Sequence, residues 1–335
     1  MADELGTIYL ARQLQIGMKL ETDRGTPATL AGSDFNILMR DVKIALAPEE
    51  NIRKYAVGDP YNFQSVIGRI PVTLSGQVDL QGSGAAGTDP VFFKILAAGP
   101  FALTTPTDKR GAILKLGNRT ATFVVQEKQF AASAPTGKEY TLAGACLSKL
   151  VVHWDNTGEL QRMDVEFLAK WDGLTDISNA GLKVPVLDDD DSVPPAVLGI
   201  DCSYRTVALP TQMISIDFGL KTALIQYPTD DTGFAYAICG DFDPVVNFQP
   251  LIQPESVQGY YADLTNTGVL GEFTTSIGSG VGKLITITAP NAQVVKALDL
   301  NERDNVDATD VTLRCIRTDD TDNPCIGIFM DATTP

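Results

Sequence analysis

Alternation of apolar and polar residues is the dominant local signal along this chain. Ile16, Met18 and Leu20 alternate with Gln15, Gly17, Lys19 and Glu21, the two-residue period of a strand with one buried face. Val72, Leu74, Val78 and Leu80 mark the same period over residues 70–80, and shorter runs follow at 112–116 and 121–125. Residues 150–154 and 163–168 pair naturally as a hairpin, because Asp155-Asn156-Thr157-Gly158 between them supplies Asn and Gly where the turn needs positive φ. In the second half, strands are expected at 213–219, 234–239, 283–290 and 311–316.

Helical spacing is rare. Over residues 89–98, Asp89 is placed to cap the free amides, Pro90 suits the first turn, Gly99-Pro100 stops the run, and Phe92, Ile95 and Leu96 share a face. A weaker parallel spans residues 255–263 after Pro254, with Val257, Tyr260 and Tyr261 spaced for one face. The expected fold class is therefore mainly β with short helices.

At 335 residues the chain is long for a single core, and two domains are the expectation. The division falls where Asp188-Asp189-Asp190-Asp191 is followed by Ser192-Val193-Pro194-Pro195. Four adjacent like charges and two prolines favour a solvated, semi-extended linker. This places one β domain at 1–187, the linker at 188–196 and a second β domain at 197–335. The order of elements suggests a duplication, with residues 283–290 and 311–316 in the places of 121–125 and 163–168.

Charge narrows the functional classes. With 26 Lys and Arg against 42 Asp and Glu, the formal net charge is −16. That balance disfavours a surface that grips nucleic acid, since such binding is driven by cations that displace phosphate counterions. The five cysteines, Cys146, Cys202, Cys239, Cys315 and Cys325, are scattered without a C-x-x-C pair. They read as small buried hydrophobes, neither a disulfide framework nor a zinc site. No run approaches the roughly 18 apolar residues of a membrane span, and Asp3 and Glu4 stand where a signal peptide would be basic. Synthesis and retention in a cytoplasm, with no membrane partner, is the expectation.

Each candidate for chemistry meets a structural alternative. The single histidine, His153, lies between Val152 and Trp154 in a strand pattern, where an outward-facing strand position is preferred over a general base without a visible nucleophile. Gly82-Ser83-Gly84-Ala85-Ala86-Gly87 offers G-x-G-x-x-G between a strand and a helix. However, Asp89 caps that helix, no Walker lysine follows, and a flexible surface loop is preferred. The acids at 188–191 lack the alternating spacing of a calcium loop. Those at Asn301-Glu302-Arg303-Asp304-Asn305-Val306-Asp307 are read as a polar turn between strands rather than a glycosidase pair. No catalytic, cofactor-binding or metal-ligating residue is assigned, and the chain is expected to be non-enzymatic. The connections at 22–30 and 41–60 are either mobile surface loops or ordered ones long enough to reach a neighbour. So many strands also imply sheet edges that an assembly would pair.

Several segments together resemble the tail tube proteins of long-tailed, siphovirus-like bacteriophages. They are residues 15–28 with Glu21 and Gly25-Thr26-Pro27, residues 72–84, the helix ending Leu96-Ala97-Ala98-Gly99, and residues 285–294 followed by Asn301-Glu302-Arg303-Asp304 and Val311-Thr312-Leu313. The resemblance implies a virion structural protein built from two tail-tube-like β-sandwich or barrel domains, each flanked by a helix. Such a subunit would form rings that stack into a tube, with a trimer favoured over a hexamer because each chain would carry two tube domains. It further implies a negatively lined lumen through which DNA passes without specific binding. Tape measure, terminator and distal tail proteins would be its partners, and the assembled virion tail its location. Alternatives are another injection-tube, baseplate or decoration component, or a glycan-acting or glycan-binding β-sandwich.

Overall fold

The computed structural model describes residues 9–51, 66–83, 89–106, 108–117, 119–129, 136–155, 161–183, 200–252, 254, 256–266, 268–279, 282–303, 306–317 and 324–331. Among them the protein is mainly β with two short α-helices. No helix of the described residues is long and apolar enough to cross a membrane.

The first half contains β1 (Tyr9–Leu20), β2 (Met39–Leu46), β3 (Glu50–Asn51), β4 (Val66–Ile67), β5 (Pro71–Asp79), α1 (Val91–Ala97), β6 (Phe101–Thr104), β7 (Lys109–Leu114), β8 (Ala121–Gln129), β9 (Gly137–Asp155) and β10 (Arg162–Ile177). The alternating segments became strands because one face of each enters the core. Val72, Leu74 and Val78 of β5 lie opposite Ala169, Phe167 and Met163 of β10, and all six are buried. Each large apolar side chain so buried contributes about 1.5–3 kcal/mol. The β9–β10 hairpin has Arg162 opposite His153 and Met163 opposite Val152, as its sequence suggested, though both strands extend well beyond 150–168.

Two expectations for this half need correction. Residues 41–46 belong to a strand, β2, and not to a long connection; residues 52–65 of that stretch lie outside the described residues. Asp89 does not cap α1: Pro90 holds the cap position without a side-chain bond, and Asp89 pairs instead with Arg110 at 3.7 Å. The helix end is tied to the sheet by the Leu147 amide, which donates to the Ala98 carbonyl at 2.8 Å.

The second half contains β11 (Asp201–Tyr204), β12 (Val207–Ala208), β13 (Thr211–Asp217), β14 (Leu220–Gln226), β15 (Phe234–Phe242), β16 (Val245–Pro250), α2 (Tyr260–Thr265), β17 (Gly271–Ile277), β18 (Ile285–Arg303), β19 (Val306–Cys315) and β20 (Gly327–Asp331). Helix α2 begins later than the apolar spacing suggested, so that Tyr260 is buried while Tyr261 and Val257 are 56% and 50% exposed. These three residues do not share a face. Residues 301–303 and 306–307 belong to the paired strands β18 and β19, with Arg303 opposite Val306 and Asn301 opposite Ala308, while residues 304–305 lie outside the described residues.

The same antiparallel order occurs twice. In the first half it runs β2-β5-β10-β9-β8-β1, and in the second β13-β16-β19-β18-β17-β11. A two-stranded insertion, β3–β4 or β14–β15, separates the first two strands of each set, and a short helix follows the second. Strand β20 continues along β18 past the end of β19, as the second part of β10 continues along β9. Residues 311–315, in β19, hold the place in the strand order that 163–168 hold in β10. Residues 283–290, however, match β9 and not β8, whose place is taken by β17. The alternation of β17 is masked because Thr275, fully buried, holds an inward position between Phe273 and Ile277.

Both halves contribute to one sheet and to one principal hydrophobic core. The expected linker at 188–196 lies outside the described residues.

Candidate assembly interface

Among the described residues, two strand pairings join the halves. Strand β8 follows β9 only as far as the Ala121–Ala145 pair. Farther along, β13 takes the same side of β9, setting Met213 opposite Asp155, Ile214 opposite Trp154, Ser215 opposite His153, Ile216 opposite Val152 and Asp217 opposite Val151. Ile214, Ile216, Val152 and Trp154 are all buried, giving this seam the composition of a core. The second joint pairs β20 with β7, from Gly327 opposite Ile113 to Asp331 opposite Lys109. Gly111 is required there, since a Cβ would come within 2.5 Å of the Phe329 ring.

Gly82 and Ser83 reinforce this contact. Gly82 lies so close to the Gly282 carbonyl that a Cβ would stand 1.9 Å from its oxygen, and the Ser83 amide approaches Met330 Sδ at 3.4 Å. The described part of the glycine-rich segment is thus packed against the other half and is not a flexible surface loop. Residues 84–88 lie outside the described residues.

The loop at 22–30 is anchored by Glu21. Its carboxylate accepts from the amides of Gly25 and Gly144, both at 2.7 Å, and from the hydroxyls of Thr120 at 2.6 Å and Thr122 at 2.8 Å. The Ala28 amide donates to Thr122 Oγ1 at 2.9 Å, extending the network into the loop. Gly25 and Gly144 both have positive φ, and a Cβ on either would strike the backbone of Ala235 or Tyr236 in β15. The loop therefore faces the β14–β15 hairpin of the same chain.

That hairpin is a separate two-stranded sheet, packed across β9 and β10. Thr222 Oγ1 donates to the Leu147 carbonyl at 2.7 Å, and Arg69 Nη2 donates to Gln226 at 2.9 Å. Lys170 Nζ, almost buried, pairs with Asp230 at 2.9 Å. Burial works to raise the Asp230 pKa, but hydrogen bonds from Thr232 and Lys170 outweigh it and hold the carboxyl below its ordinary range. Beneath the hairpin, Cys146, Ala237 and Cys239 form a small cluster apart from the main core.

Open strand edges are the remaining feature. Strand β2 pairs with β5 alone, and no strand covers its other edge among the described residues. Leu38, just before it, and Leu46, at its end, are 60% and 47% exposed. Strand β18 reaches past the last residue paired with β17, Ala292, and from Asp299 to Arg303 it pairs only with β19 among the described residues. The recess nearest β2, about 180 Å³ and lined by residues including Leu14, Phe35, Leu38 and Met39, is small and mostly apolar. It falls well below the size of a typical ligand pocket.

Among the described residues, those considered for catalysis do not converge. His153 is outward-facing and half-exposed, with Nε2 3.5 Å from Asp164, and no metal-binding cluster occurs among the described residues. All five cysteines are buried free thiols, and burial raises Cys146 and Cys202 to about 12, far from reactive thiolates. Comparison with known proteins adds no assignment: no family model and no curated protein matches the chain.

Proposed function

We propose that this protein is a virion structural subunit whose copies join edge to edge into rings and stack into a tube, the tail tube of a long-tailed bacteriophage. The supporting observation is the pairing of β13 with β9, which joins two sets of strands of matching order within one chain. A unit that joins its own halves in this way has the geometry to join further copies. Because each chain holds two such sets of strands, three chains would give a ring with six repeats, which favours a trimer over a hexamer.

The acidic balance fits a conduit. A formal charge of −16 on each chain repels a polyanion and removes the counterion-release term that would hold DNA against the wall. In this reading tape measure, terminator and distal tail proteins meet the tube during assembly, and no catalytic step is involved. Negative-stain microscopy of the purified chain tests the proposal: hollow tubes or stacked rings support it, and dispersed single particles at every concentration tried contradict it.

A further inference from the structure

The joint inside the chain also indicates which strands would meet between chains. Strand β13 is the outermost member of the second set, and it pairs with the part of β9 that extends past β8. The equivalent outermost strand of the first set is β2, and the equivalent extension belongs to β18, past the Ala292 pair with β17. Both are open among the described residues. The chain thus contains one filled copy of a joint and both separated components of a second.

The two components match in detail. Strand β13 has a pairing irregularity against β16 between Thr211 and Ile214, then presents five residues to β9. Strand β2 has a similar irregularity against β5 between Arg40 and Lys43, with Asp41 at φ 51°, after which residues 43–46 pair regularly. The β9 extension past Ala145 runs to Asp155, and the β18 extension past Ala292 runs to Arg303, so the two are of nearly equal length. Within the chain this second joint is not made: β2 and β18 belong to one continuous strand order in which they are not neighbours.

We infer that residues 42–46 of β2 pair antiparallel with residues 299–303 of β18 in a second copy of this chain, reproducing between chains the β13–β9 joint found within it. The inference rests on the ring reading above and specifies its contact. Placing the middle residues opposite one another sets position 43 across from 302 and position 46 across from 299. Opposed Cβ atoms in such a pair lie about 4.5–5.5 Å apart. The exposed Leu38 and Leu46 would be covered at the two ends of the contact, and an open edge that invites unspecific pairing would gain a defined partner.

Cysteine cross-linking of the full chain tests this contact. The native thiols are buried, so a short bismaleimide should react chiefly at introduced cysteines. Lys43→Cys/Glu302→Cys and, independently, Leu46→Cys/Asp299→Cys should each give a ladder of covalent oligomers, whereas each single variant should give none above background. Mixing the two single variants of one pair should give covalent dimers. If the chains assemble but neither pair cross-links above the single variants, the contact is wrong while the ring reading survives. If folded chains show neither assembly nor cross-linking, both fail.

Discussion

Replacing Glu21 tests whether its carboxylate holds the 22–30 loop against the β14–β15 hairpin. It accepts two amide and two hydroxyl hydrogen bonds, all between 2.6 and 2.8 Å. A hydrogen bond to a charged group contributes about 1.5–3 kcal/mol, and bonds that share one acceptor are not additive. The hydroxyls of Thr120 and Thr122 can rotate toward new partners. The Gly25 and Gly144 amides are fixed in left-handed backbone facing β15 and cannot. Glu21→Ala should therefore cost about 3–5 kcal/mol, mostly from the two stranded amides. Glu21→Gln keeps one carbonyl oxygen but turns an NH2 toward donors, and should lose about half as much. Urea unfolding followed by circular dichroism reads the effect. With a slope of about 3 kcal/mol/M, the alanine variant should shift the midpoint by roughly 1–1.7 M. If both variants unfold within about 0.5 kcal/mol of the parent, the carboxylate does not anchor the loop.

Three further outcomes follow from the packing. Trp154→Ala empties a fully buried site opposite Ile214 and should cost about 3–5 kcal/mol, with hydrogen exchange accelerating in β13 before β5; equal acceleration in both would argue against a distinct seam. Asp230 has a depressed folded pKa, so its contribution is present above the ordinary carboxylate range and is lost as pH falls through the depressed value. Asp230→Asn should lower stability at neutral pH and flatten this part of the acid profile, and an unchanged profile would refute the role of the Lys170 pair. During mild denaturant labelling, Cys146 and Cys239 under the hairpin should react before Cys202 and Cys315 in the main core; the reverse order would show that the hairpin is not the first unit to open.

The sequence revealed strands where one face alone enters the core, and failed where that condition did not hold. Strand β5 alternates cleanly because its inward residues meet β10 and its other face is more open. The middle of β9 was missed because residues 142–147 are buried without alternation, beneath α1 on one side and the β14–β15 hairpin on the other. In β2, Asp41 in left-handed backbone breaks the period and makes the strand resemble a loop. Buried Thr275 disguised β17, and its loss from the reading misplaced the correspondence between the halves.

The candidate interface was less legible than the strands that compose it. Sequence supplied the reason to expect paired edges, but the β13–β9 joint links residues far apart along the chain, and no local pattern specifies such a pairing. Gly82 shows the same limit from the opposite direction. Its motif suggested an exposed loop, whereas its backbone meets Gly282 from the other half. Only the fold brings these residues together.

Cryo-electron microscopy of the full chain assembled at high concentration tests the central proposal most directly. The expected result is a hollow tube of stacked three-chain rings, with the β-sheet continuing across every chain boundary. Particles no larger than one 35.9 kDa chain under all conditions, or rings whose sheets end at each boundary, would contradict it.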